Sequence, residues 1–455
     1  MQRELSFLKQ WALTSPSLCA LETCDRNYTW AELDDLVAKV ANHLNQQGLE
    51  AGEVLTCVGK NNLEQLVIYL ACLELGVTCA LTMPQTRTEL DNKLDTLYSA
   101  KQIAKVWVNV ESNALSPISN IRYGENKAPL EVSAYKPDNL ASIVFTSGST
   151  GAPKAVAHTS GQHFASASGL LAQFTYKQGD TWLLSLPMYH VSGLAIVYRW
   201  LYSGATIKVG SGDLATDIVG VSHASLVATQ LQRLLDDRMR LSLSHVLLGG
   251  SHVALELSQQ AAKQGIETWL GYGMTEAAST VTAKRIDQHY SAGKVLPNRE
   301  LRLEGQRIYI GGETLASGYY RQGKLTSFVE NGWFDSKDLG EWVSGELKII
   351  GRADNQFISG GENVHCEEIE AALMQVPDIA QAIVVPIADV EFGHRPVAIC
   401  SFTTVLEKSE IEAYLKQALV KFKWPIAYYS MPESLLRSGI KVSRKSVKEW
   451  LIKQV

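Results

Sequence analysis

The stretch Thr146-Ser147-Gly148-Ser149-Thr150-Gly151-Ala152-Pro153-Lys154 begins at the end of an apolar run, residues 142–146, that is typical of a buried strand. Its glycines let the backbone approach a polyanion closely, its hydroxyls can donate hydrogen bonds to phosphate oxygens, and Lys154 adds a positive charge. Pro153 stands where the Walker A motif has a glycine, which excludes that motif. The stretch predicts a phosphate-binding loop; the alternative is a flexible Ser/Gly turn.

The sequence around this loop alternates between strand-like apolar runs and segments with helical periodicity. Thr29 and Glu32 form a capping-box pattern in front of helix-spaced apolar residues over 33–44, and a second apolar helix is predicted over 66–75. This alternation is typical of an α/β architecture. The predicted strands of this part cover residues 77–81, 142–146, 181–186, 205–209, 226–229, 245–248 and 267–270.

The character of the chain changes beyond residue 300. Alternating residues at 301–303 and 307–310 predict a β-hairpin and 346–350 a further strand, so a β-rich subdomain is expected here. We predict an N-terminal domain over 1–350, a hinge over 351–354 and a small α+β domain over 355–455. The predicted elements of the small domain are helices at 366–374, 408–421 and 444–452 and strands at 381–386 and 396–402.

The composition excludes several classes of protein. With 42 Lys and Arg against 47 Asp and Glu, the net charge of −5 gives no electrostatic reason to expect nucleic acid as a partner. The most apolar stretch, 66–84, contains Glu74 and Gly76, which favours a buried helix and strand over a membrane span. Seven cysteines without a C-x-x-C pair favour neither a disulfide framework nor a zinc ribbon. No secretory signal is visible, so we expect a cytoplasmic protein without a membrane span.

A second glycine-rich segment is a weaker candidate for a nucleotide-binding site. Residues 210–215, with the sequence Gly-Ser-Gly-Asp-Leu-Ala, match the G-x-G-x-x-[GA] pattern of dinucleotide sites and follow a predicted strand. The helix that would follow is very short, because Gly220 and β-branched residues come soon after it. A dinucleotide site is therefore not favoured at this position.

The loop at 146–154 is similar to the signature loop of the adenylate-forming superfamily, which includes acyl-CoA ligases, adenylation domains of peptide synthetases and luciferases. A second segment, Gly271-Tyr272-Gly273-Met274-Thr275-Glu276, resembles a motif of the same family. The resemblance implies that Tyr272 stacks near adenine, that Thr275 contacts phosphate, and that Glu276 helps to hold Mg²⁺, a cation that prefers carboxylate and phosphate oxygens. The alternative for this segment is a glycine-flanked turn with a solvated Glu276.

Two further segments resemble the family's nucleotide and hinge motifs. Residues 332–340 resemble the motif whose final aspartate accepts hydrogen bonds from the ribose hydroxyls, which implies this role for Asp338. Lys337 replaces the glycine of the usual pattern, so Asp335 stays as the alternative. Residues 351–354 resemble the family's hinge, which implies that Arg352 contacts the nucleotide and that Asp354 is the pivot of a mobile C-terminal domain.

Residues 438–444 resemble the segment that bears the family's catalytic lysine. Ile440 is inserted between glycine and lysine, so the match rests on Lys441 and the residues after it, with Lys445 as the alternative. Adenylation builds negative charge where a carboxylate attacks the α-phosphate. A mobile cation at that point stabilises the transition state, and the resemblance assigns this role to Lys441.

Residues 186–204 are similar to the acyl-pocket region of bacterial o-succinylbenzoate–CoA ligases of menaquinone biosynthesis, and the Gly249-Gly250-Ser251 segment also resembles that subfamily. The resemblance implies that His190 gates the pocket and that Ser192 and Gly193 line it. Arg199 is our candidate counter-charge for the carboxylate that is not activated. The alternatives are a core histidine at position 190, and a helix arginine at position 199 that is ion-paired or exposed to solvent.

The subfamily resemblance implies ligation of o-succinylbenzoate to coenzyme A through an acyl adenylate, with ATP and Mg²⁺ and with release of AMP and pyrophosphate. Its partners would be small-molecule substrates, and a homo-oligomer stays open. One alternative is a coenzyme A ligase for another aryl or medium-chain acid. Another is a nucleotide-binding module without catalysis, which the presence of Lys154, Glu276 and Lys441 argues against.

Overall fold

The computed structural model describes residues 5–109, 118–130, 133–146, 153–237, 239, 241–249, 253, 255–360, 362–404, 406–436 and 442–454. α-Helices and β-strands alternate over much of the described chain, and loops of different lengths connect them. The helices are α1 (Phe7–Thr14), α2 (Trp30–Gln46), α3 (Leu63–Leu75), α4 (Arg87–Leu97), α5 (Ser160–Leu171), α6 (Val191–Ser203), α7 (Leu214–Asp217), α8 (Ala228–Asp236), α9 (Leu255–Lys263), α10 (Cys366–Leu373), α11 (Lys408–Ala418), α12 (Glu433–Leu436) and α13 (Arg444–Ile452).

The strands up to residue 295 belong to two large mixed sheets, which contain both parallel and antiparallel pairs. They are β1 (Cys19–Glu22), β2 (Asn27–Thr29), β3 (Val54–Gly59), β4 (Thr78–Thr82), β5 (Val106–Asn109), β6 (Leu140–Thr146), β7 (Lys154–Thr159), β8 (Thr181–Leu183), β9 (Thr206–Lys208), β10 (His223–Leu226), β11 (His245–Leu248), β12 (Glu267–Met274), β13 (Ser279–Arg285) and β14 (Lys294–Val295).

The later strands form an antiparallel sheet and a mixed C-terminal sheet, except that β17 and β18 join one of the large sheets. They are β15 (Arg299–Glu304), β16 (Arg307–Gly312), β17 (Gly318–Arg321), β18 (Lys324–Thr326), β19 (Phe334–Val343), β20 (Glu346–Arg352), β21 (Gln356–Ser359), β22 (Glu362–His365), β23 (Ile379–Asp389), β24 (Gly393–Phe402) and β25 (Tyr428–Ser430).

The two large sheets pack on opposite sides of a central helical layer. The first sheet has the order β18-β17-β7-β6-β4-β3-β5 and the second has β14-β13-β12-β11-β10-β8-β9-β1-β2. One continuous core joins both sheets to α2, α3, α5 and α6, which lie between them. Helices α8 and α9 cover the far face of the second sheet, and α4 lies on the far face of the first. This layering confirms the α/β prediction.

The central helices carry the sequence signals that start and end them. Thr29 and Glu32 make the predicted reciprocal capping box of α2, which is thereby confirmed. Helix α3 is capped at its start by Asn62, whose side chain accepts a hydrogen bond from the backbone N–H of Gln65 at 2.9 Å. It ends at Gly76 with φ of +69°, the left-handed conformation that favours glycine at a helix end. Most of α3 is buried, because the helix lies between two sheets.

The remaining predicted elements differ from the structure mainly at their ends. The predicted strand at 226–229 is wrong: β10 ends at Leu226, and α8 begins at Ala228. The strand is made by the buried residues His223–Leu226, whose burial in the parallel sheet outweighs their weak β-propensity. The hairpin of β15 and β16 and strand β20 confirm the predicted β-rich part. In the described part of the chain, no helix combines the length and hydropathy needed to cross a bilayer.

The glycine-rich segment at 210–215 is closed by its own chain. Asp217 accepts backbone N–H groups from Ser211 at 2.9 Å and Gly212 at 2.8 Å. A Cβ atom at Gly210 would lie 2.1 Å from the Asp217 carboxyl carbon, so only glycine allows this approach. Because a protein carboxylate occupies the amides that would face a pyrophosphate, the local geometry agrees with the prediction that no dinucleotide binds here.

Candidate active site

The predicted phosphate loop connects two antiparallel strands. Strands β6 and β7 place Thr146 opposite Lys154 at the two ends of the loop. A Walker A loop leads instead from a strand into a helix, so the topology agrees with the exclusion of that motif. Thr146 and Lys154 are partly exposed, at the end of β6 and the start of β7. The loop residues Ser147, Gly148, Ser149, Thr150 and Gly151 lie outside the described residues, and their assignment stays a prediction.

The second motif forms the end of β12 and a tight turn into β13. Gly271, Tyr272, Gly273 and Met274 are the last residues of the strand, and Thr275 and Glu276 follow in a short 3-10 helix, Thr275–Ala277. A Cβ atom at Gly273 would lie 1.7 Å from the carbonyl oxygen of Ser279. Only glycine therefore lets the two strands meet so closely at this turn.

Tyr272 and Asp338 are brought together from distant parts of the sequence. The Tyr272 hydroxyl donates a hydrogen bond of 2.6 Å to Asp338 Oδ2. Arg352 donates from Nη1 to the other carboxylate oxygen, Oδ1, at 3.0 Å. Burial, and then the negative charge of Asp338, raise the pKa of the Tyr272 hydroxyl, so it stays a donor. Three residues that the family resemblance links to the nucleotide thus form one hydrogen-bonded group.

Asp335, the alternative to Asp338, has a different environment. Arg307 donates two hydrogen bonds to the Asp335 carboxylate, from Nε to Oδ1 at 2.6 Å and from Nη2 to Oδ2 at 2.9 Å. These hydrogen bonds lower the pKa of Asp335. Lys337 between the two aspartates has φ of +62°, a left-handed conformation that costs a non-glycine residue on the order of 1 kcal/mol. The position where the family pattern has glycine therefore keeps the backbone conformation that favours glycine.

Arg352 connects this group to the predicted hinge. It is the last residue of β20, and Asp354 follows in the 3-10 helix Ala353–Asn355. Arg352 Nε donates to Asp354 Oδ1 at 3.0 Å, while its Nη1 contacts Asp338. After residue 356 the buried apolar side chains form cores of their own around β23 and β24. The domain boundaries and the pivot role of Asp354 stay predictions.

Glu276 and Lys154 are connected by Tyr319, a residue that the sequence analysis missed. The Tyr319 hydroxyl donates to Glu276 Oε1 at 3.2 Å, and Lys154 Nζ lies 5.0 Å from the centroid of the Tyr319 ring. Tyr319 lies more than forty residues from Glu276 in sequence, and its strand β17 pairs with β7, which begins at Lys154. No local sequence pattern indicates such a contact.

The carboxylate of Glu276 fits the site of a magnesium ion that is shared with a nucleotide. Magnesium is usually held by one or two carboxylates, by substrate phosphates and by several waters, and not by a cage of protein ligands. The described residues contain no cluster of three or more His, Cys, Asp or Glu that could hold a metal ion by itself. A single carboxylate that shares the Tyr319 contact with Lys154 is compatible with this chemistry.

A second missed residue, His158, supports the backbone of the same turn. His158 on β7 is fully buried, and its Nε2 donates to the carbonyl oxygen of Thr275 at 2.7 Å. Its Nδ1 has no partner among the described residues. Burial lowers the pKa of His158 to about 4, so the ring is neutral near pH 7. It holds the chain segment that carries Thr275 and Glu276.

The buried histidines predict that stability falls on the acid side of neutrality. His158 and His223 each have a pKa of about 4 in the folded protein, mainly because burial disfavours the charged ring, against 6.5 for a free histidine. Below pH 6.5 the unfolded chain binds protons that the folded chain does not, so the free energy of unfolding decreases as the pH falls towards 4. We expect a loss of about 2 kcal/mol at pH 5 from His158 alone.

Urea unfolding at pH 7.5 and pH 5 measures this effect. The His158→Gln variant keeps a side-chain donor for Thr275 and removes the titrating ring. Its pH dependence should therefore be smaller than that of the parent protein by about the amount given above. Equal pH dependence in both proteins would contradict the prediction.

The candidate acyl pocket is built around the start of α6. His190 precedes the helix, and a Cβ atom at Gly193 would lie 2.2 Å from the carbonyl oxygen of Pro187, so glycine is required there. Ser192 is partly exposed beside them. Burial, and to a lesser extent the positive charge of Lys93, lower the pKa of His190. The ring is therefore neutral at physiological pH. The gating role of His190 and the lining roles of Ser192 and Gly193 stay predictions.

Arg199 lies deep in the protein on the same helix. Its side chain is 2% exposed, so the alternative of a solvent-exposed helix arginine is wrong. Among the described residues no carboxylate lies within 4.0 Å of the guanidinium and its Nε has no partner; Nη2 makes one long contact of 3.4 Å to Thr280 Oγ1. The guanidinium carbon lies 5.3 Å from the centroid of the Trp182 ring. Burial, and then the nearby Arg299, lower the pKa of Arg199 to about 9, so the group is still charged at pH 7.

Two further predicted segments lie partly or wholly outside the described residues. Gly249 follows the end of β11 and donates its N–H to the carbonyl of Leu226 at 3.4 Å, but Gly250 and Ser251 are not described. Lys441 also lies outside the described residues. Lys445, its alternative, is a 64% exposed residue of α13 that lies 3.9 Å from Glu449.

Comparisons with known proteins find matches along nearly the whole chain. A profile of the AMP-binding enzyme family matches residues 8–320, and a profile of the AMP-binding enzyme C-terminal domain matches residues 368–439. The 2-succinylbenzoate–CoA ligase of Salmonella typhimurium is 38% identical over 445 residues, which cover 97% of each protein. The enzyme of the same name from Haemophilus influenzae is 40% identical over 435 residues, covering 94% of this chain and 93% of the relative.

Solved structures extend the similarity to the fold. A variant of Escherichia coli MenE with bound OSB-AMS superposes with a TM-score of 0.91 at 37% identity and covers both chains completely. An O-succinylbenzoate coenzyme A synthetase from Bacillus subtilis, in complex with ATP and magnesium ion, has a TM-score of 0.84 at 26% identity and covers 98% of this chain. With profiles that match over half of its length and relatives at 38–40% identity along nearly all of it, the chain belongs to the AMP-binding enzyme family.

Proposed function

We propose that the chain ligates o-succinylbenzoate to coenzyme A in two steps, with an acyl adenylate as the intermediate. The observation that carries this proposal is the similarity, along nearly the whole chain, to 2-succinylbenzoate–CoA ligases at 38–40% identity. The hydrogen-bonded group of Tyr272, Asp338 and Arg352 supports it, because this group offers an aromatic ring, a carboxylate and a cation at one place. Such a set suits a nucleoside monophosphate.

In the first step the carboxylate of the acid attacks the α-phosphate of ATP, an acyl adenylate forms, and pyrophosphate leaves. Asp338 binds the ribose hydroxyls, Tyr272 stacks near adenine, and Arg352 contacts the nucleotide from the hinge. Thr146, Lys154 and the loop between them bind the phosphates. Lys441 stabilises the negative charge that develops at the α-phosphate. Magnesium, held by Glu276, would neutralise charge on the phosphate oxygens.

In the second step the thiol of coenzyme A attacks the acyl carbon. A carbon–sulfur bond forms, the bond between the acyl carbon and the phosphate oxygen breaks, AMP leaves, and the thiol proton is released. His190 separates the acyl and thiol entrances of the pocket. The small domain rotates about Asp354 between the two steps, so that Lys441 serves the first step and not the second.

The second carboxylate of the acid binds to Arg199. A guanidinium that is buried without a described carboxylate partner is costly in a folded protein unless a ligand supplies the opposite charge. The dicarboxylate o-succinylbenzoate has such a group to offer once its other carboxylate is activated.

Pyrophosphate release from ATP tests the proposal, measured with o-succinylbenzoate, benzoate and octanoate in separate assays with and without coenzyme A. We expect release only with o-succinylbenzoate and thioester formation only when coenzyme A is also present. If benzoate or octanoate gave more pyrophosphate release than o-succinylbenzoate, the proposed reaction would stand but the proposed acid substrate would be wrong. Absence of release with every acid would instead favour a nucleotide-binding module without catalysis.

A further inference from the structure

Tyr319 lies at the junction of the phosphate loop and the candidate magnesium ligand. It is the second residue of β17, and it pairs with Val156 of β7, two residues after Lys154. Side chains two residues apart along a strand share a face, and diagonal neighbours on the adjacent strand are within reach of an aromatic ring. The pairing of the two strands therefore places the Tyr319 ring beside Lys154.

The ring contacts both functional side chains. Its hydroxyl donates to Glu276 Oε1 at 3.2 Å, and its face lies 5.0 Å from Lys154 Nζ. Phe328 packs against it with ring centroids 4.8 Å apart, which fixes its position from another side. Burial, and then Glu276, raise the pKa of Tyr319, so the phenol stays protonated and keeps its hydrogen bond over the working pH range.

The backbone next to Tyr319 holds the same two segments. The N–H of Ala316 donates to the carbonyl oxygen of Glu276 at 2.9 Å. The N–H of Ser317 donates to the carbonyl oxygen of Ala157 on β7, also at 2.9 Å. Residues 316–319 thus connect the Glu276 turn to β7 through the backbone as well as through the tyrosine side chain. The separation of Glu276 and Lys154 is fixed by this connection.

A carboxylate and an ammonium group in one site attract each other. If they paired, a nucleotide would have to break that ion pair before its phosphates could bind. In the described structure Lys154 forms no ion pair within 4.0 Å, and Tyr319 gives each group a weaker partner. The lysine meets an aromatic face and the carboxylate meets a neutral donor. Both charges are therefore held in place and remain available to a ligand.

We infer that Tyr319 is a positioning residue that keeps Glu276 and Lys154 apart and oriented for the triphosphate and its magnesium ion. This inference rests on the proposed function, in which both residues act on the nucleotide. The hydroxyl and the ring of Tyr319 have different roles in this inference. The hydroxyl orients the carboxylate that holds the metal, and the ring positions the lysine that contacts phosphate.

Two variants of Tyr319 and one of Tyr320 test the inference by calorimetric titration with ATP, either with excess Mg²⁺ or with a chelator. Tyr319→Phe keeps the ring and removes the hydroxyl. It should weaken binding of Mg·ATP by about five- to ten-fold and leave binding of metal-free ATP within about two-fold. Tyr319→Leu also removes the ring and should weaken binding in both titrations. Tyr320→Phe is the matched control, because Tyr320 lies on the opposite face of β17 and packs against the buried cluster that contains Ala155 and Ala157, and it should bind like the parent protein.

Equal affinities of Tyr319→Phe and the parent protein for Mg·ATP would overturn the inference. So would an equal loss with and without the metal, since a general packing defect weakens both. Thermal unfolding of the variants checks that the fold is kept. The titrations contain no acid, so they are independent of the acyl substrate: a parent protein that binds Mg·ATP but does not activate o-succinylbenzoate would contradict the proposed function and not this inference.

Discussion

Replacement of Arg199 by leucine should raise the KM for o-succinylbenzoate ten-fold or more. A hydrogen bond to a charged group contributes about 1.5–3 kcal/mol, and the lower end of that range already corresponds to about ten-fold in affinity. The fold should tolerate the change, because leucine removes a buried charge that has no described carboxylate partner and leaves an apolar side chain next to Trp182. Steady-state kinetics with varied o-succinylbenzoate at saturating ATP and coenzyme A measure the effect.

The controls for this experiment separate charge recognition from a general defect. Arg233→Leu removes an exposed arginine of α8 and should leave the KM unchanged. The KM for ATP should stay constant in both variants. In the Arg199→Lys variant, which keeps a positive charge but loses the planar fork, part of the affinity should return. An unchanged KM for the dicarboxylate in Arg199→Leu would remove Arg199 from the substrate site.

Replacement of Lys441 by alanine should lower the rate of acyl-adenylate formation by about a hundred-fold or more, which is the scale for loss of one group that stabilises charge in a transition state. The variant should still convert a supplied acyl adenylate to the thioester at nearly the parent rate, because Lys441 serves only the first step of the proposed reaction. Pyrophosphate release measures the first step. Thioester formation from synthetic acyl adenylate and coenzyme A measures the second.

Lys445→Ala is the matched control for the lysine variant. Lys445 lies four residues further along the chain, is 64% exposed and lies near Glu449, so its loss should affect neither step. A defect in the first step with Lys445→Ala but not with Lys441→Ala would reverse the assignment. Equal damage to both steps in Lys441→Ala would contradict the rotation of the small domain between them.

Local signals predicted much of the fold. The capping box at Thr29 and Glu32, the apolar helix that became α3 and the strand at His245–Leu248 depend on residues close together in sequence. The strand β10 was misplaced because its residues, His223–Leu226, lack β-branched side chains and owe their conformation to burial between two neighbouring parallel strands. The order of strands in the two large sheets depends on contacts across the whole domain, which periodicity does not encode.

The candidate site divides in the same way. Asp338 and Glu276 could be proposed because each lies in a contiguous motif, and the structure places Asp338 in hydrogen-bond contact with Tyr272 and Arg352. His158 and Tyr319 carry no local signal, because their contacts join the Thr275–Ala277 turn, which follows β12 of the second large sheet, to β7 and β17 of the first. The burial of Arg199 results from the packing of its helix. The sequence alone is equally compatible with an exposed arginine at this position.

Lys337 stands where the family motif has glycine, and the backbone of the motif is nevertheless kept. Its φ of +62° retains the left-handed bend that a glycine would adopt, and Asp338 directly after it still points to Tyr272. A text search that demands the triplet Thr-Gly-Asp would pass over residues 336–338, whereas a search by backbone torsion angles would retrieve them. What this position keeps is a bend in the main chain, and the bend does not depend on which residue makes it.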